Sequence, residues 1–222
     1  MVSNTNLEGI IKFKQEFREG PALDHELLEE LNSWRRIFFR EGLIGQYKSK
    51  YNNAGYGNIS QRLEPFDAPT NKKRFVITGS QTGHIQHLTP GHYAIVTEYH
   101  PEKNLVVSEG PIKASSESMT HGTIYDLADW VRFVFHAHSA QMWAHAKEME
   151  IPVTNGKVEY GTPEMAEEVL RLFSDTDVEE KKIFSMGGHE DGIFTFGRSS
   201  EEAGMTMMEY LGRALAFYHS DK

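Results

Sequence analysis

The residues best suited to chemistry lie in Phe135-His136-Ala137-His138-Ser139, at the end of an apolar run that begins at Val131. In a β-strand alternate side chains share a face, so His136 and His138 would project together, close enough for both imidazoles to bind one metal ion. Phe133, Phe135 and Ala137 would occupy the opposite face. Two imidazoles buried side by side without a common partner would leave donors or acceptors unpaired, which is costly. A third histidine, His189, lies in the glycine-flanked turn Gly187-Gly188-His189-Glu190-Asp191-Gly192, between two further strand-like runs. Three neutral imidazoles with an open fourth position form the donor set of a catalytic rather than a structural zinc site. The chain has eleven histidines, so a pair at this spacing is ordinary by itself.

A carboxylate is the second element. In Ala114-Ser115-Ser116-Glu117-Ser118, Glu117 falls in the first turn of a predicted helix, where the helix dipole favours acidic side chains in any case. The functional alternative makes Glu117 a general base beside the metal, with Ser115 and Ser116 binding an anion at the helix N-terminus. His121, four residues on, shares that helix face and either orients Glu117 or packs, with packing the simpler reading. His145 reads as a core or surface residue. The glycine-containing segments Gly57-Asn58-Ile59-Ser60 and Thr78-Gly79-Ser80-Gln81-Thr82-Gly83 could cradle a phosphate through concave arrays of backbone N–H groups, although most such loops are only turns.

The elements that must position these groups can be read in outline. The 222 residues suffice for one domain with a sizeable core, and 39% hydrophobic with 25% charged residues is ordinary for a globular protein. Residues 1–22 read as a polar N-terminal arm and 23–222 as the domain. Helices are predicted from 23 to about 42, 117–130, 140–148, 162–173 and 201–218, with Thr162-Pro163-Glu164 a strong helix start. Strands are predicted at 74–78, 93–99, 104–108, 131–138, 182–185 and 193–196, with a loop at 174–180. Several neighbouring strands are joined too tightly for parallel crossovers, so the sheet should be mostly antiparallel, with helices on its faces.

Composition also excludes classes. The net charge of −9 argues against non-specific nucleic-acid binding, though not against an anionic substrate. Without cysteine, a transition-metal site must use His, Asp or Glu. No run approaches membrane-spanning length and the N-terminus lacks a secretory apolar core, so a cytoplasmic protein is expected.

Taken in order, Gly57-Asn58-Ile59-Ser60, Thr82-Gly83, Ser115-Ser116-Glu117, His136-Ala137-His138, Tyr160-Gly161-Thr162-Pro163-Glu164 and His189 resemble the class II aldolase/adducin family, typified by fuculose-phosphate aldolase. The resemblance spans about residues 25–215. It implies a three-layer αβα sandwich around a mostly antiparallel sheet, and a homotetramer with active sites between subunits. It implies Zn2+, or another divalent metal, on His136, His138 and His189, with Glu117 as the acid/base residue. Asn58, Thr82, Gly83, Ser115 and Ser116 would hold a substrate phosphate, with Thr78-Gly79 a rival to Thr82-Gly83. The implied activity is (retro-)aldol cleavage of a small hydroxy-carbonyl compound, of sugar-phosphate type, through an enediolate stabilised by the cation. Dehydration, epimerisation or decarboxylation on the same scaffold, and a non-catalytic adducin-like interaction domain, are the alternatives. No tyrosine matches the family's proton-transferring one. Tyr210, Tyr218 and His219 either reach a neighbouring subunit's pocket or pack within their own.

Overall fold

A computed structural model describes residues 8–217. Eight strands form one sheet: β1 (Lys14–Glu19), β2 (Asn58–Arg62), β3 (Phe75–Thr78), β4 (Tyr93–His100), β5 (Leu105–Gly110), β6 (Phe133–His138), β7 (Ile183–Ser185) and β8 (Gly192–Gly197). Their order is β1-β5-β4-β3-β2-β6-β8-β7, and every pairing is antiparallel except β1 with β5. The helices are α1 (Glu29–Arg40), α2 (Ser118–Leu127), α3 (Ala140–Ala144), α4 (Pro163–Asp175), α5 (Val178–Lys181) and α6 (Ser200–Phe217).

Strand alternation sorts the core into two layers. From β6, Val134 packs on one side of the sheet with Met119, Ile124 and Tyr125 of α2 and Met165, Val169 and Leu172 of α4. Phe133, Phe135 and Ala137 pack on the other with Leu31 and Phe38 of α1, Met142 of α3 and Met207 of α6. The result is the expected αβα sandwich. A buried aromatic such as Phe135 contributes about 1.5–3 kcal/mol relative to exposure, so this sorting fixes the register. His136 and His138 necessarily share the face of Val134, opposite the apolar row.

Local signals set the helix starts. The Thr162 hydroxyl accepts the Met165 N–H at 3.3 Å, and Pro163 occupies the first turn of α4. At α3 the Ser139 hydroxyl accepts the Met142 N–H at 3.2 Å, immediately after the histidine strand.

Three differences from the sequence reading have physical causes. The N-terminal arm contributes the edge strand β1, parallel to β5. Its sequence Lys-Gln-Glu-Phe-Arg-Glu shows little apolar alternation because only Gln15 and Phe17 are half-buried on this edge, and the exposed charges discourage further pairing. Helix α3 stops at Ala144 rather than 148, freeing Met149 and Ile151 to enter the core. The segment expected as a loop at 174–180 contains the start of the short helix α5, whose Val178 is buried. Tyr210 packs within its own subunit, while Tyr218 and His219 lie outside the described residues. Among the described residues no helix is long and apolar enough to cross a membrane.

Candidate metal centre and adjoining anion niche

Register brings the three histidines together. His136 pairs across the sheet with Phe194 of β8 and with Asn58 of β2, and His138 pairs with Gly192, where β8 begins. The turn joining β7 to β8 therefore emerges beside His138 and delivers His189 onto the same face. Candidate ligand atoms of His136, His138 and His189 all lie within 4.8 Å of one another, and all three side chains are buried.

Each ring is held by its surroundings. His136 Nδ1 donates to the Ile193 carbonyl at 3.2 Å, and the ring stacks on Phe194 with centroids 4.5 Å apart. That bond fixes the proton on Nδ1 and leaves Nε2 as a buried lone pair without a hydrogen-bond partner. His138 Nε2 and His189 Nε2 face each other at 3.0 Å, as two imidazole nitrogens do when they share a proton or a cation. Tyr51 sets its ring edge against His138 at 4.8 Å and Tyr160 sets its own against His189 at 4.5 Å. The Tyr51 hydroxyl donates to Asp191. Burial, then the neighbouring His189, holds His136 and His138 well below the usual imidazole range, in the neutral form a metal requires. Burial acts downward on His189 too, but the Glu8 and Glu117 carboxylates bring it to a net rise. An orphaned buried lone pair, a close pair of nitrogens and two imidazoles held neutral fit a divalent cation.

Glu117 is fully buried at the mouth of α2, with Oε1 3.8 Å from His189 Nδ1. Thr120 donates to Oε2 at 3.4 Å, and Oε1 has no hydrogen-bond partner. Burial pushes this carboxyl up to about 7, against the pull of His189. A carboxyl near neutrality, beside a cation site, is equipped to take and return a proton.

Two spaces adjoin these groups. A cavity of about 610 Å3 is walled by Tyr51, Trp143, Tyr160, Gly187, Gly188 and His189, among others. A narrow niche of about 10 Å3 lies among Gly57, Asn58, Gly79, Thr82, Gly83, Ser115 and Ser116. The structure thus gathers Asn58, Thr82, Gly83, Ser115 and Ser116, and of the rival pair Thr78-Gly79 only Gly79 lines the niche. The Glu8 carboxylate also lines it and no lysine or arginine does among the described residues, so an anion would be held by hydroxyl and amide donors alone. The Thr82 hydroxyl is engaged, donating to the Gly79 carbonyl at 2.9 Å. Two glycines make the approach possible. At Gly57, with φ +76°, a Cβ would lie 2.6 Å from Ile44; at Gly161, with φ +66°, it would lie 2.7 Å from the Ser116 carbonyl.

His121 bonds to Asn58, not to Glu117. Its Nε2 donates to Asn58 Oδ1 at 2.7 Å, while Nδ1 accepts from Ser60 at 2.7 Å, and Ser60 in turn accepts from the Tyr125 hydroxyl at 2.8 Å. Burial draws this imidazole down to about 3, so it stays neutral and the chain of bonds has one direction. With its oxygen engaged, Asn58 offers the niche its amide donors.

A model of the "Class II Aldolase and Adducin N-terminal domain" matches residues 45–219. The chain belongs to that family. Its fold is shared with an L-fuculose-1-phosphate aldolase from Thermus thermophilus, at 23% identity and TM-score 0.62, covering 89% of this chain and 95% of that one. It is shared also with a sugar-phosphate aldolase from Thermotoga maritima, at 14% identity and TM-score 0.64, covering 87% and 94%. The N-terminal class II aldolase domain of a Thermoplasma acidophilum protein matches at 14% identity and TM-score 0.60, covering 90% and 97%. Comparison with curated protein sequences finds no match.

Four residues of this candidate site escape sequence reading. Tyr51 and Asp191 meet across 140 positions; Tyr51 carried no motif, and Asp191 was visible only as part of the glycine-flanked His189 turn. Tyr160 was visible only as part of a helix start. Glu8, in the polar arm, places Oε2 2.8 Å from His189 Nε2. A run of positive φ at Tyr51, Asn52 and Asn53 turns Tyr51 inward, and its only sequence trace is the paired asparagines.

Proposed function

We propose that the chain is a zinc-dependent lyase that cleaves, or forms, a carbon–carbon bond in a small hydroxy-carbonyl compound of the sugar-phosphate class. The observation that carries this reading is the convergence of three buried histidines, a buried carboxyl raised towards neutrality and an adjoining hydroxyl-lined niche.

His136, His138 and His189 hold the ion. A divalent cation there supplies Lewis acidity, neutralising negative charge as it develops on the substrate's carbonyl and hydroxyl oxygens. Ser115, Ser116, Asn58 and the Thr82-Gly83 segment receive the anionic end and so fix which carbon faces Glu117. Glu117 moves the proton at the carbon beside the carbonyl, as a carboxyl titrating near the working pH does best. The Tyr51, Trp143 and Tyr160 side chains wall the cavity. The reading includes a homotetramer with sites at subunit borders; light scattering giving four chains per particle supports it, and a monomer removes it.

The test is deuterium uptake at the hydroxymethyl carbon of dihydroxyacetone phosphate in D2O. Exchange in the zinc-loaded protein, lost in Glu117→Gln with zinc retained, supports the assignment. Product analysis with a sugar-phosphate panel then separates reactions: water loss without carbon–carbon cleavage would make it a dehydratase, and configurational inversion an epimerase. Negligible zinc after purification without chelators would leave the non-catalytic interaction role.

A further inference from the structure

The N-terminal segment crosses the metal centre and is fastened along its length. The Gln81 side-chain amide donates to the Gly9 carbonyl at 3.2 Å and accepts from the Gly55 N–H at 3.1 Å. The Ile10 N–H donates to the Tyr160 hydroxyl at 3.1 Å. Lys12 lies over the Tyr160 ring at 3.9 Å and pairs with Glu159 at 2.9 Å. Phe13 is buried in the core, and β1 then joins the sheet. These contacts deliver Glu8 to the space between the large cavity and the niche, for it lines both.

The Glu8 carboxylate is only 9% exposed, yet no lysine or arginine pairs with it among the described residues. Its Oε2 lies 2.8 Å from His189 Nε2 and its Oε1 3.8 Å from His138 Nε2. Four donors about 2.0–2.1 Å from one zinc ion in a tetrahedron stand about 3.3 Å apart. Glu8 Oε2 stands about 0.5 Å inside that edge from His189 and Oε1 about 0.5 Å outside it from His138, so a small shift of the carboxylate completes the set. The 3.0 Å between the two imidazole nitrogens is close to the same edge. In the metal-free chain His189 is the charge partner of this carboxylate, on the trio's open side where a metal ion would take that role.

We propose that Glu8 is a fourth, displaceable protein ligand of this centre, so that the chain's own N-terminal segment closes the position substrate oxygens must enter. The proposal rests on the reading that the histidine trio holds a divalent metal. Entry is then a ligand exchange: the carboxylate leaves the ion, the strap lifts from Tyr160 and Gln81, and the substrate's oxygens take its place. The same movement opens the niche, whose wall Glu8 and Gly9 form.

The test uses the full chain and its Glu8→Ala and Glu8→Gln variants, with melting temperature and far-ultraviolet circular dichroism confirming the fold. Zinc affinity is measured by competition with a chromophoric chelator. Acetohydroxamate, a bidentate oxygen ligand for zinc, is titrated into the zinc-saturated proteins by calorimetry. Removing a ligand should weaken zinc at least tenfold in both variants, while removing a competitor should tighten acetohydroxamate about tenfold. A residue that only packs would not move the two affinities in opposite directions. Either affinity unchanged from the parent chain in both variants overturns the Glu8 proposal and leaves the trio intact. No zinc binding by the parent chain overturns the metal centre itself.

Discussion

His121→Phe isolates the buried relay that aims Asn58. Phenylalanine fills nearly the same space among Phe75 and Phe194 but leaves Asn58 Oδ1 and the Ser60 hydroxyl without the partner each now has at 2.7 Å. The orphaned Asn58 oxygen costs about 1–3 kcal/mol and Ser60, which keeps Tyr125 and the Val134 carbonyl, loses one bond worth about 1 kcal/mol, so the metal-free variant should be about 2–4 kcal/mol less stable at pH 7.5. The wild-type advantage then depends on pH. The imidazole's folded value, about 3, lies below its ordinary 6.5. Its stabilising contribution is therefore complete above pH 6.5 and is lost as pH falls towards 3, since the unfolded chain takes up a proton that the folded chain refuses. Between pH 7.5 and 5.0 the loss is about 2 kcal/mol, from 1.5 pH units at 1.36 kcal/mol each. Urea unfolding followed by tryptophan fluorescence reads this as a gap in midpoints that narrows by about 0.7 M at an m of about 3 kcal/mol/M. A gap equal at the two pH values would refute the neutral, bond-donating role of His121.

Other consequences follow from the same geometry. The Glu117 carboxyl, raised to about 7, contributes stability that is complete below its unfolded value of 4.5 and is lost as pH rises through 7. Metal-free Glu117→Gln should accordingly gain about 3 kcal/mol at pH 8.5 over the parent chain and about nothing at pH 4, a difference that denaturant melts at the two pH values would expose or exclude. Gly161→Ala forces a Cβ 2.7 Å from the Ser116 carbonyl at positive φ and should cost about 1–3 kcal/mol. Unchanged stability there would show that the start of α4 yields freely. Free zinc at a hundredfold excess over its dissociation constant should stabilise the fold by about 3 kcal/mol, lost on adding EDTA; equal melts with and without metal would argue against binding to the native state.

Much of this arrangement was legible in the residues. Period-two alternation around His136 and His138 fixed both their shared face and the apolar row behind them. The Thr162-Pro163 start predicted α4 because its cap is a local interaction. What stayed hidden depended on distance in the chain. Nothing near Glu8 or Tyr51 signals a histidine cluster more than 80 positions away, since those contacts form only when the sheet has closed. His121 shows the limit of local spacing: four residues from Glu117 puts it on the same helical face, yet β2 packs against that face and Asn58 captures the ring. Edge strand β1 showed no clear alternation because its inner face, Gln15 and Phe17, is only half-buried and one of the two residues is polar.

Elemental analysis of the purified chain and of His138→Ala, both prepared without chelators and equilibrated with limiting zinc, addresses the centre most directly. One zinc per parent chain and almost none in the variant is the predicted result. Equal zinc in the two proteins, or none in either, would contradict a centre built on these three imidazoles.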